Sequence, residues 1–124
     1  MATILIVEDE ESVRAFLERA LSEAGHQIVS AKDGSDALLC LEQARAQGRK
    51  FDLMLSDIVM PILDGIGLAL RVARDSPELK ILLMTGYVHQ KERAHQLETL
   101  IEDVLFKPFS LEDLLRAVNQ ALGK

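Results

Sequence analysis

The sequence predicts an α/β domain, a (βα)5 chain wound into a doubly wound, five-stranded parallel sheet. Three observations carry this. Short runs rich in Ile, Val and Leu alternate five times with longer stretches whose apolar residues recur every three or four positions. The short runs are continuously apolar, as befits strands covered on both faces. The length, 124 residues, suits one domain, and right-handed crossovers leave few ways to wind it.

Each element follows from its residues. Thr3 to Val7 is the first strand. Ser12 to Ala24 is a helix, with Val13, Phe16, Leu17, Ala20, Leu21 and Ala24 on one face and Gly25 as its stop. His26 to Ala31 is the second strand. Ser35 to Ala46 is the second helix, with Ala37, Leu38, Leu41 and Ala44 inward and Gly48 near its end. Phe51 to Ser56 is the third strand, closed by Asp57. Ile66 to Arg74 is helical and ends before Pro77. Lys80 to Met84 is the fourth strand. Gln90 to Leu100 is a polar helix with a thin stripe of Ala94, Leu97 and Ile101. Val104 to Phe106 is the fifth strand. Leu111, Leu114, Leu115, Val118, Ala121 and Leu122 mark the last helix, capped by Ser110.

Composition narrows the function. A hydrophobic share of 48% against 27% charged argues for a packed core rather than disorder. With 20 acidic and 14 basic residues the net charge is −6, which gives no electrostatic case for nucleic acid or an anionic membrane. Aromatics are 4% and Trp is absent, so base-stacking platforms are not expected. The lone Cys40 excludes an internal disulfide. The first apolar run is cut after Val7 by four acids, so it reads as neither signal peptide nor membrane span. The expectation is a cytoplasmic protein in which residues 1–124 form one domain with no separate effector domain.

Ligands of such sheets bind beyond the carboxyl ends of the strands. Here strand one ends in Glu8-Asp9, strand three in Asp57, strand four in Thr85-Gly86 and strand five in Lys107-Pro108. Two carboxylates 4 Å apart repel by about 4 kcal/mol at an effective dielectric near 20. Three together need a cation or must take up protons. Hard oxygen ligands suit Mg²⁺. A carboxylate beside Mg²⁺ and a lysine can act as nucleophile on a phosphoryl group, with Thr85 donating to one of its oxygens.

Four pieces in this order resemble the receiver domain of bacterial two-component response regulators, the CheY-like group of flavodoxin-like folds. They are Ile6-Val7-Glu8-Asp9-Glu10, Asp57-Ile58-Val59-Met60-Pro61 with Asp64-Gly65, Met84-Thr85-Gly86, and Lys107-Pro108-Phe109. The resemblance implies strand order 2-1-3-4-5. It implies that Asp57 accepts the phosphoryl group, that Glu8, Asp9, Asp57 and the backbone carbonyl of Val59 hold Mg²⁺ (with Mn²⁺ as a substitute), and that Thr85 and Lys107 bind phosphoryl oxygens. Asp9 would be the more direct metal ligand, with Glu8 acting through water. It implies a cis bond before Pro108. The implied partners are a sensor histidine kinase or histidine phosphotransfer protein and an unknown downstream protein. The molecule would be a monomer or weak homodimer that catalyses only its own phosphorylation and slow dephosphorylation, not a multiple-turnover enzyme.

One position departs from the family pattern. Receivers usually carry Tyr or Phe three residues before the lysine as a rotamer switch; here Val104 stands there. Tyr87, two residues after Thr85, is the candidate replacement, although an ordinary half-exposed loop aromatic is the simpler reading. The Thr-Gly-Tyr pattern is similar to two groups, stand-alone CpdR-like regulators of alphaproteobacteria and receivers attached to hybrid histidine kinases, and the short length favours the first.

Rival readings leave traces that can be checked. An aspartyl phosphatase resembles a D-x-D pattern, but Val59 occupies the second acid's place. A flavodoxin-type cofactor site needs a Ser-, Thr- or Gly-rich loop after strand one, where four acids stand instead. A phosphorylation-independent binding module remains open. Asp64-Gly65 reads as turn and helix-start chemistry, His26, His89 and His95 as surface histidines, and Cys40 as a small core residue.

Overall fold

The computed structural model describes residues 1–123. Among them five strands and five helices alternate: β1 (Thr3–Val7), α1 (Glu11–Glu23), β2 (Gln27–Ala31), α2 (Gly34–Ala46), β3 (Leu53–Asp57), α3 (Gly65–Asp75), β4 (Lys80–Thr85), α4 (Val88–His95), β5 (Asp103–Phe106) and α5 (Leu111–Ala121). The strands pair in the order β2-β1-β3-β4-β5, all parallel.

Successive strand residues face opposite sides, and both sides are covered, which explains why the strands read as unbroken apolar runs. Ile4, Ile6, Leu53, Leu55, Leu82 and Met84 pack on one side with Leu17 and Leu21 of α1 and Leu114 and Val118 of α5. Leu5, Val7, Met54, Ile81 and Leu83 pack on the other with Ala37 of α2, Leu68 and Val72 of α3 and Ala94 of α4.

Side-chain caps fix several helix starts. Asp33 accepts from the Asp36 N–H at 2.8 Å, Asp64 from Gly67 at 2.8 Å and Ser110 from Asp113 at 3.0 Å. Gly25 and Gly48, at φ of 96° and 69°, turn the chain out of α1 and α2. The sequence order reverses at β1, which lies between β2 and β3, and the crevice there opens beyond Val7 and Asp57.

The structure corrects four sequence expectations. Phe16 and Ala24 are exposed rather than inward, because Phe16 borders an open apolar cleft of about 480 Å³ shared with Val13, Pro108 and Phe109. Leu111 is likewise exposed at the start of α5. The fourth helix begins at Val88 and ends at His95. Beyond it, Leu97 and Leu100 donate to carbonyls three residues back, so the chain tightens into turns while Leu97 and Ile101 still reach the core. His26 is half-buried, its Nδ1 accepting from the Ala2 N–H at 3.1 Å. Cys40 is half-buried and packs against the core as expected, and burial pushes its thiol pKa up.

Candidate functional site

The parallel register brings four strand ends to one edge. Val7 lies opposite Ser56, Asp57 opposite Met84, and Thr85 opposite Phe106. The residues that follow the aligned ends, Glu8 and Lys107, therefore meet at Asp57 although 99 positions separate them.

Lys107 is the common partner of two acids. Its Nζ donates to Glu8 Oε1 at 2.8 Å and lies 3.4 Å from Asp57 Oδ2. Glu8 is fully buried and pinned on every side. Its N–H donates to the Ala31 carbonyl, its own carbonyl accepts from Arg14 Nη1 at 2.8 Å, and its Oε2 accepts from the Glu10 N–H at 3.0 Å. Asp57 Oδ1 accepts from the Ile58 N–H at 2.9 Å. The peptide bond between Lys107 and Pro108 is cis.

Burial governs the protonation of these groups. Desolvation raises the pKa of Glu8 above 4.5 and that of Asp57 above 3.8, against the pull of Lys107 and backbone N–H donors. Burial alone would lower Lys107. The Glu8 hydrogen bond and the charges of Asp57 and Glu8 outweigh it and raise its pKa.

Ligand atoms of Glu8, Asp9 and Asp57 come within 4.8 Å of one another. Two of these carboxylates are buried and Asp9 is exposed, so the set is open on one side. Three hard oxygen donors with one lysine leave negative charge to spare, and this donor set fits a divalent cation of the Mg²⁺ type. A cavity of about 680 Å³ opens over them, lined in part by Val59, Gly86, Tyr87 and Lys107.

Thr85 is fully buried and is not among the residues lining this cavity. Its Oγ1 accepts from the Tyr87 N–H at 3.1 Å. Tyr87 is 57% exposed and stands at the rim, while Val104 is buried in the core on the far side of the sheet from α1. Two positioning roles escaped the sequence reading, which passed over Arg14 and took Gly65 only as helix-start chemistry. Arg14 holds the Glu8 carbonyl, a tertiary contact with no sequence signature. Gly65 lies so close to the acceptor strand that a Cβ there would fall 2.2 Å from the Asp57 carbonyl oxygen.

The family model for the response regulator receiver domain matches residues 4–119. The chain belongs to the response regulator receiver family. Receivers work in two-component phosphorelay signalling and bind Mg²⁺ at an acidic site, which places the cluster of Glu8, Asp9 and Asp57 in a functional frame. The chain is 37% identical to the receiver protein CpdR of Brucella abortus (strain 2308), over 98% of each. It is 34% identical to sensor kinase CckA of the same organism, covering 99% of this chain but 13% of the kinase. Among solved structures, response regulator TrrA from Thermotoga maritima, in complex with Mg²⁺-BeF, shares 30% identity and a TM-score of 0.82 over 98% of this receiver and all of TrrA. The expected strand order of a receiver is the observed one. Among the described residues no helix is long and apolar enough to cross a membrane.

Proposed function

We propose that this receiver takes a phosphoryl group on Asp57 from a phosphohistidine, carried by a sensor histidine kinase or a histidine phosphotransfer protein, and signals through protein–protein contacts. The observation that carries this is the position of Asp57. It is a buried carboxylate at a strand end, facing the only lysine shared with Glu8 and converging with Asp9 among the described residues.

The step is a displacement at phosphorus. An Asp57 carboxylate oxygen forms the new P–O bond as the donor's P–N bond breaks, and the imidazole leaves with the electron pair. Lys107 sits where it can neutralise a phosphoryl oxygen, giving up part of its contact with Asp57 Oδ2. Thr85 supplies a hydroxyl to a second oxygen once its side chain turns from Tyr87. Glu8, Asp9, Asp57 and the Val59 carbonyl would hold Mg²⁺, or Mn²⁺ in its place. Bound there, the metal supplies positive charge for the transferring oxygens. The receiver modifies itself rather than turning over substrate. We read residues 1–124 as one phosphoacceptor domain acting in the cytoplasm, as a monomer or weak homodimer.

Intact mass after incubation with Mg²⁺ and acetyl phosphate tests this. One phosphoryl adduct is expected, absent from Asp57→Ala and from a metal-free control. No adduct under any condition, with a phosphohistidine donor included, would move the function to a phosphorylation-independent binding module.

A further inference from the structure

Thr85 stands in a closed ring of contacts. Its Oγ1 holds the N–H of Tyr87, the residue that caps the start of α4. The Tyr87 carbonyl accepts from the Lys91 N–H one turn on, at 3.1 Å. The Lys91 ammonium lies 5.5 Å from the centroid of the Phe106 ring, within the range of a cation–π attraction. Phe106 in turn is the β5 residue registered with Thr85, whose carbonyl accepts from the Lys107 N–H at 2.8 Å. The ring runs from the Thr85 hydroxyl through α4 and back to β5, the strand that leads directly into Lys107.

The ring is weak where α4 joins it. Tyr87 gives α4 no side-chain cap, and Ala94 is the single fully buried residue along α4. Few apolar contacts oppose a displacement of such a helix. β5 is an edge strand, and Phe106 is 37% exposed there. Val104, by contrast, is a buried aliphatic residue with no ring to reorient.

We infer that the aromatic reporter of this receiver is Phe106, clamped by Lys91 in the unphosphorylated state and released when Thr85 turns from Tyr87 to a phosphoryl group on Asp57. The inference rests on Asp57 being the acceptor. A ligand shifts only states that bind it differently, and the rotation that buried Thr85 must make to reach a cavity it does not line supplies that difference. Release frees a cation and an aromatic face side by side at the sheet edge, a pair suited to a partner that offers a carboxylate beside an apolar side chain. By linkage, whatever factor the clamp adds to the resting state is a factor lost from the affinity for a phosphoryl mimic.

Nuclear magnetic resonance of the full chain, titrated with Mg²⁺ and beryllofluoride, tests this. In the free protein the Lys91 ε-methylene protons should show an upfield ring-current shift. With the mimic bound they should return toward solvent values as the Thr85 and Asp57 amides move. Lys91→Gln and Phe106→Leu should each tighten mimic binding by about two- to five-fold, the factor of an exposed cation–π contact, and the double variant should gain no more than either alone. A Lys91 signal that stays put while the Thr85 amide saturates would overturn the clamp and leave the acceptor reading intact. So would unchanged affinity in both single variants. If neither Asp57 nor Thr85 responds to the mimic, the acceptor reading fails and the clamp falls with it.

Discussion

The ionised Asp57 carboxylate shares one ammonium with Glu8, so two buried negative charges face one positive charge. Burial raises the pKa of Asp57 above its ordinary 3.8. In linkage terms, the folded chain then holds a proton at Asp57 more tightly than the unfolded chain. The stability tied to that proton is full below about 3.8 and is lost as pH rises through the raised value. At pH 7 without Mg²⁺, the wild type carries the whole cost. Asp57→Asn removes it and leaves Glu8 and Lys107 as a neutral pair. We expect the variant to be more stable at pH 7 by on the order of 1 kcal/mol, a rise in Tm of roughly 4 °C. The gap should close as pH falls toward 4 in thermal melts with a chelator present. An equal or lower Tm at pH 7 would contradict the charge balance described above.

At the level of elements, the acceptor's placement depends on how closely α3 approaches β3. The Gly65 N–H donates to the Ile58 carbonyl at 2.7 Å, and a Cβ at position 65 would meet the backbone of Asp57 and Ile58. Gly65→Ala should cost about 3 kcal/mol in urea unfolding despite the better helix propensity of Ala. It should also depress phosphoryl uptake measured by intact mass. The sequence showed Gly65 only as helix-start chemistry, because its crowding comes from a tertiary neighbour. The same distinction runs through the molecule. Glu8, Asp9, Asp57 and Lys107 were legible because each directly follows or closes an apolar strand, and a parallel sheet gathers such ends. The Thr85 contact with Tyr87 and the Lys91 contact with Phe106 were not, since periodicity gives a face but not the rotamers or neighbours on it. The bounds of α4 were misplaced for a related reason. Its weak stripe of Ala94 and Leu97 continues past His95 into turns, and spacing alone does not separate a helical turn from a tighter one. Ile62, at φ of 70° and nearly fully exposed, carries no sequence sign of its left-handed backbone, a conformation unusual for a β-branched residue.

Across the whole molecule, α1 and α5, the first and last helices, share one layer over Ile4, Ile6, Leu53, Leu55, Leu82 and Met84. A chain ending at Ile101 would bare much of that face and lack Lys107. We expect it to show no cooperative urea transition by circular dichroism, whereas a sharp transition would mark the first four βα units as a domain of their own. The pairing of Lys107 with Glu8 has a consequence for synthesis. As the chain leaves the ribosome, the acids at positions 8, 9 and 57 emerge long before the lysine that balances them. Until the fifth strand docks, Glu8 and Asp57 lack the ammonium that pairs with both carboxylates. The nascent chain therefore has an electrostatic reason to stay loose at this edge until its last unit arrives, so that closing the pocket and completing the fold become one event.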